Sequence, residues 1–287
     1  RIFRVDNPHT KPFNFWEWLI SEIKMGHPDV IFLSEAFTRP KVMYRLAKLG
    51  FSQSYTYFTW RNTKQELMSY VDELTHGGVR EYLRPNFWPN TPDILPEFLQ
   101  LGGRNAFIIR LVLAATLSSN YGIYGPPYEL CENNAMPGSE EYLNSEKYEI
   151  RNWNLDSEEG LGDLITRINR IRKDNPALQD TYNTAFLEIN NDKLIAYSKA
   201  TRDLLNVLIV VVNLDPFHTQ SGQITVPTEE LGIDPEKPYL VHDLLGEEKY
   251  LWQGRLNSIE LSPSIMPAYI FRIRKLVRKE ANFDYYM

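Results

Sequence analysis

One cysteine, Cys131, stands in 287 residues, so no intrachain disulfide can staple this fold. That scarcity fits a reducing compartment, and a cytoplasmic location is expected. No uninterrupted apolar run approaches the roughly 20 residues of a bilayer-spanning helix, so no membrane span is expected. Positive charge is in deficit: 31 Lys and Arg face 37 Asp and Glu, a net charge of −6 that speaks against a nucleic-acid partner. No His/Cys/Asp cluster has metal-ligand spacing, so neither a metal nor another cofactor is expected. Gly102-Gly103 lacks the strand–turn–helix setting of a phosphate loop and reads as a cap or hinge before the helix that starts near Asn105. There is no internal repeat and no low-complexity tract. The chain also opens without Met or a polar leader, directly in Arg1-Ile-Phe-Arg-Val-Asp6, which reads as mid-strand; further sequence upstream is the expectation.

What is present is a globular composition, 43% apolar and 13% aromatic. Short apolar runs alternate with amphipathic stretches in the first half. Strands are expected at Ile2–Val5, Val30–Leu33 and Ser54–Phe58, with a further short run at Tyr121–Tyr124. Helices are expected at Phe13–Met25, Pro40–Leu49, Thr63–Leu74, Asn105–Ser118 and Leu161–Lys173, and a polar loop from Pro126 to Asp156. This alternation predicts βα units around a parallel sheet. Beyond about Leu178 the texture changes to short strands separated by Gly, Pro and Asn, the pattern of an antiparallel sandwich. The expected organisation is residues 1–178 as part of an α/β barrel, 183–275 as an all-β antiparallel sandwich, and 276–287 as a tail. The basic cluster Arg272, Arg274, Lys275, Arg278 and Lys279 reads as a solvated terminus.

Three acids fall where a parallel barrel carries its chemistry, just past the carboxyl ends of strands. Asp6 follows Ile2–Val5, Glu35 follows Val30–Ser34, and Asp93 lies in the loop Asn86-Phe-Trp-Pro-Asn-Thr-Pro-Asp93. A lone acid at a strand end is commonly a helix cap or a solvated loop residue. Two apolar strands that each end in an acid, with Arg4 two residues before the first, make a more specific pattern. Retaining glycosyl transfer needs one carboxylate as nucleophile and a second carboxyl as acid and then base, about 5–5.5 Å apart. Adjacent strands can hold such a pair on rigid supports. Arg4, on the same strand face as Asp6, is expected to favour the ionised nucleophile, and crowding by carboxylates in a dry, aromatic-lined cleft to raise the pKa of the acid.

Arg4-Val-Asp6 resembles the R-x-D motif on the fourth barrel strand of the α-amylase superfamily (glycoside hydrolase family 13), and Phe32-Leu-Ser-Glu35 its fifth-strand motif. The stretches 4–12, 35–40 and 55–62, with Pro89-Asn-Thr-Pro-Asp93 and Ser145-Glu-Lys-Tyr148, are similar to one branch, the α-1,4-glucan:maltose-1-phosphate maltosyltransferases. The resemblance runs from residue 1 to about 274 and implies strands four to eight of a (β/α)8 barrel followed by the sandwich. It implies Asp6 as nucleophile, Glu35 as acid/base and Asp93 as a sugar-gripping, transition-state-stabilising carboxylate. Arg4 would support the nucleophile, Asn7 would help hold phosphate, and Lys147 and Tyr148 would bind the non-reducing glucose of a maltosyl unit. The implied partners are α-maltose 1-phosphate, an α-1,4-glucan acceptor and phosphate, in a homodimeric enzyme of glycogen-like glucan synthesis. The superfamily's third-strand Asp-x-x-x-x-Asn-His motif is not in this sequence. Two other readings stand beside this one: an α-amylase-type hydrolase or glucan transglycosylase with the same acids, and a non-catalytic α-glucan-binding relative, which retention of all three acids disfavours.

Other candidates read as structural. Trp16 and Trp18 suit packing of the first helix against the barrel better than a sugar platform. His9 could line the cleft or make a structural hydrogen bond. Cys131 reads as a small buried residue.

Overall fold

β1 (Ile2–Asp6) and β2 (Ile31–Glu35) pair in parallel, with Asp6 opposite Glu35. β3 (Gln53–Tyr55) and β4 (Pro85–Asn86) extend the sheet in chain order, all parallel. Parallel neighbours require crossovers. These are supplied by α1 (Phe13–Gly26), α2 (Pro40–Lys48) and α3 (Lys64–Thr75). α3 begins in a capping box, where Thr63 and Glu66 satisfy each other's free backbone donors. This computed structural model describes residues 1–157 and 159–274; the tail 276–287 and the basic residues Lys275, Arg278 and Lys279 lie outside the described residues.

Two segments depart from what the sequence pattern predicts, each for a tertiary reason. The strand expected over 54–58 stops at Tyr55, and Tyr57–Trp60 coils into a 3-10 turn. The buried Arg110 guanidinium takes the carbonyls of Phe58 and Arg61 and lies 3.8 Å from the centroid of the Phe58 ring. Those carbonyls are therefore held by a side chain and not by a ladder. The run at Tyr121–Tyr124 forms only a parallel bridge, Phe87 to Tyr121. Asn90 explains this: its side chain accepts the Tyr124 N–H at 2.8 Å and donates to the Tyr124 carbonyl at 3.3 Å. The helix expected from Asn105 follows a break at Gly103 (φ 56, ψ −159), the hinge expected there, which joins it to a short preceding helix; together they are α4 (Glu97–Leu117). Gly103 therefore acts as a hinge, in a region that glycine enters without penalty. Two shorter helices follow, α5 (Gly125–Glu129), inside the stretch expected to be loop, and α6 (Gly162–Asp174).

From residue 184 to residue 274 every regular element is a strand. β5 (Thr184–Leu187), β6 (Leu194–Ala200), β7 (Val207–Asn213), β9 (Tyr239–Asp243), β10 (Lys249–Trp252) and β12 (Ala268–Arg274) form one antiparallel sheet ordered β10-β9-β12-β7-β6-β5. β8 (Gln220–Thr225) and β11 (Leu256–Leu261) pair separately as a second, two-stranded sheet. β7 shows why its sequence is continuously apolar. Val207, Ile209 and Val211 face the core between the two sheets, while Leu208, Val210 and Val212 join the core around α4. Both faces are buried, so period-two alternation is absent. α4 is apolar enough to suit a bilayer (mean hydropathy 1.3), yet its run from Ala106 to Leu117 is wholly buried inside the protein. α1, β2 and α2 share a separate core that includes Trp16, Phe32, Leu46 and Phe51.

Candidate active site

The two strand-end acids are neighbours with different surroundings. Asp6 is 63% exposed at its side chain, whereas the Glu35 side chain is only 5% exposed. Burial pushes the Glu35 carboxyl above its ordinary pKa. The Asn7 N–H and Arg4 oppose that shift, and the Asp6 and Asp93 charges add to it. Of the two influences expected from sequence, a dry cleft and crowding by acids, the first is thus the larger. Asn7 occupies the left-handed region (φ 44), which Asn tolerates better than most residues. This turns its N–H toward Glu35, 3.0 Å from the main-chain oxygen and 3.2 Å from Oε2.

Arg4 ties the acids together. Its guanidinium lies 3.7 Å from Asp6, 3.4 Å from Glu35 and 3.7 Å from Asp93. Sequence reasoning paired it with Asp6 alone; the fold makes it the hub. Asp93 also receives Lys147, whose Nζ is 2.7 Å from Oδ1 and 3.1 Å from Glu141 Oε1. These bonds, chiefly that to Asp93, push the Lys147 pKa up. Six ionisable groups therefore meet at one end of the parallel sheet: Asp6, Glu35, Asp93 and Glu141 against Arg4 and Lys147. The negative excess suits a site that stabilises a developing positive charge at a sugar carbon.

The remaining expected residues are less tightly placed. Tyr148 stands 76% exposed, its ring 5.5 Å from Lys147 Nζ. His9 lies near Asp6 in sequence, and its Nδ1 is buried without a hydrogen-bond partner among the described residues. Trp16 is buried and donates to the Pro8 carbonyl at 2.7 Å, whereas Trp18 is exposed. Cys131 is half-buried, with its thiol pushed up to about 11 by burial.

Sequence reasoning missed three contributors. Tyr55, at the end of β3, is buried beside Arg4 and stacks on Trp88 with centroids 4.5 Å apart. Burial pushes its hydroxyl up to about 12, and Arg4 lowers it in part. Glu141 anchors Lys147. Glu140 holds Trp60 Nε1 at 2.9 Å through its carboxylate and the Leu95 N–H through its carbonyl, tying the Asp93 loop to the segment that carries Lys147. Tyr55 and Trp60 stand inside the quoted motif 55–62, so a signal existed. For Glu140 and Glu141, in a polar loop, there was none.

Residues 186–273 match the family described as GLGE, C-terminal. A maltosyltransferase of Chlorobaculum tepidum named for α-1,4-glucan and maltose 1-phosphate is 54% identical over 279 residues, covering 95% of this chain and 42% of its own length. The Myxococcus xanthus protein of that name is 50% identical over 99% of this chain and 42% of its own. Nearly the whole of this chain is thus similar to part of these maltosyltransferases. Among solved structures, α-amylases from Anoxybacillus (TM-score 0.74, 15% identity) and Geobacillus thermoleovorans (TM-score 0.70, 16% identity) cover 96% of the chain and 59% and 60% of their own lengths. At such identities the likeness shows the fold, a barrel portion joined to a β domain. The chain spans about two-fifths of the length of the maltosyltransferases it matches.

Proposed function

We propose that the protein carrying this chain transfers a maltosyl unit, with retention, from α-maltose 1-phosphate to the non-reducing end of an α-1,4-glucan. The observation that carries this reading is the Asp6–Glu35 pair across the β1–β2 register, one carboxyl exposed and the other buried with a raised pKa, bridged by Arg4. The relatives' names supply the substrates. In the first step a carboxylate oxygen of Asp6 attacks the anomeric carbon, forming an ester. The bond from that carbon to the phosphate oxygen breaks, and phosphate leaves with the electron pair and takes the proton of the Glu35 carboxyl. In the second step Glu35, now ionised, takes the proton of the acceptor's 4-hydroxyl. The resulting alkoxide attacks the anomeric carbon and expels Asp6, so two inversions give retention. Asp93 holds sugar hydroxyls near the developing charge, and Lys147 with Tyr148 binds the second glucose. Asn7 turns its side chain to the phosphate while its N–H keeps Glu35 in place.

On this reading residues 1–178 belong to the barrel and 183–275 to the sandwich. The enzyme works as a homodimer in a reducing cytoplasm, a location that the single cysteine favours. The test is reversal. Full-length enzyme incubated with α-1,4-glucan and inorganic phosphate should form maltose 1-phosphate. Release of free maltose alone overturns the phosphate assignment in favour of a hydrolase.

A further inference from the structure

Between α6 and the sandwich lies a cleft of about 720 Å³ that shares no residue with the acidic site. One face of α6, the turn after β9 and the end of β12 wall it. Arg104, Arg167, Arg170, Arg272 and Arg274 reach it, against three acids, Asp163, Asp174 and Glu247. This local positive excess opposes the net charge of −6. Two of the guanidinium groups are held in place. Arg104 donates to the carbonyls of Glu159 and Gly160 at 3.2 and 3.3 Å, and Arg167 to that of Leu245. Each guanidinium has five donors in a fixed fork, so these bonds orient it and leave N–H edges for a ligand. Glu247 is engaged by His242 Nε2 at 3.1 Å. The other ring nitrogen, Nδ1, is buried with no hydrogen-bond partner among the described residues.

The wall thus combines anion-binding forks with acceptors for hydroxyl groups, the exposed carboxylates of Asp163 and Asp174. No Trp, Tyr or Phe is among the described residues that line it, so neither a nucleobase nor a glucan ring finds a stacking face there. Its size suits a small metabolite. We propose that this cleft binds a phosphorylated sugar or polyol, at a place separate from the acidic site. The phosphoryl group takes the arginine forks, and the hydroxyls face Asp163 and Asp174.

The test uses full-length protein and glucose 6-phosphate as probe. Hydrogen–deuterium exchange reads the site without mutation: residues 160–175 and 239–247 should exchange at least twofold more slowly with glucose 6-phosphate, and not with glucose. By calorimetry the Arg170→Gln/Arg274→Gln variant, altered at two exposed side chains, should bind the probe at least tenfold more weakly, while Asp6→Ala binds it as wild type does. Unchanged exchange in both segments, equal affinity of the arginine variant, or loss of binding in Asp6→Ala alone overturns the proposal.

Discussion

At the scale of single residues, the unequal environments of Asp6 and Glu35 predict different failures. Under the proposed double displacement, Asp6→Ala removes the attacking oxygen, so no covalent sugar can form, whereas Glu35 has a separate role. Glu35→Ala keeps the nucleophile but loses the base of the second step. With phosphate or fluoride as leaving group it should accumulate a maltosyl ester, seen by mass spectrometry on a peptide between Arg4 and Lys11. An adduct in Asp6→Ala, or one mapped to Asp93, reverses the assignment. Asp93→Asn should slow both steps, by about 10²-fold or more, because charge stabilisation serves both transition states. Glu35 also makes a stability prediction. Its folded pKa lies above the ordinary 4.5. Between those two values the native state holds the proton that the unfolded state has released, so stability falls as pH rises. Glu35→Gln should abolish that slope in denaturant titrations across the acid range; an unchanged slope would assign it to another group.

Among elements, the packing behind Arg4 depends on one glycine. A Cβ at Gly122 would lie 2.2 Å from the Trp88 ring, which stacks on Tyr55, which in turn abuts Arg4. Gly122→Ala must displace the indole. Overpacking of this kind costs about 1–3 kcal/mol, and because the displaced stack ends at Arg4 the variant should lose turnover at temperatures where it is still folded. Loss of stability with full turnover in the folded protein would separate the stack from the site. Arg110 acts on a neighbouring element, holding the turn that carries Trp60. Arg110→Met removes the side-chain donor from the Arg61 carbonyl and one of two donors, the other being the Arg61 N–H, from that of Phe58; an unsatisfied group costs about 1–3 kcal/mol, and thermal melts should register it.

Across the whole molecule, two features tie stability to burial. Lys199 in β6 is fully buried, bonded to the Asp180 carbonyl and to Thr184 Oγ1 at 3.1 Å, and burial pushes its ammonium down to about 7. The unfolded chain keeps that proton up to about 10.5. Stability should therefore rise with pH from about 7 toward 10.5, and Lys199→Met should flatten this rise in melts recorded between these limits. At the opposite end, β1 is an edge strand with Ile2 65% and Phe3 48% exposed, and Phe15 and Trp18 of α1 are exposed as well. An apolar edge invites pairing with another chain. The 287-residue chain prepared alone should associate with rising concentration in light scattering, and Phe3→Lys should reduce this. A monodisperse monomer at micromolar concentrations would contradict it.

The sequence by itself determined which segments are apolar strands and helices, and it put acids at the ends of two of them. Those features are local: periodicity of two or 3.6, caps, and a residue after the last strand position. It also carried the similarity in Arg4–Pro12 and the motif at 55–62, because motifs survive as short linear strings. Only the tertiary structure decided which of the acids is buried, since desolvation of Glu35 depends on neighbours from other elements, while the Asn7 N–H bonded to it acts in the opposite sense. Likewise it made Arg4 common to three carboxylates and brought Lys147 and Glu141 to Asp93 from a polar loop without periodicity. The strand that ends at Tyr55 and the bridge at Tyr121 follow the same logic. In each, a distant side chain, Arg110 or Asn90, claims backbone groups that local propensity assigns to a ladder, and no window of sequence contains both partners.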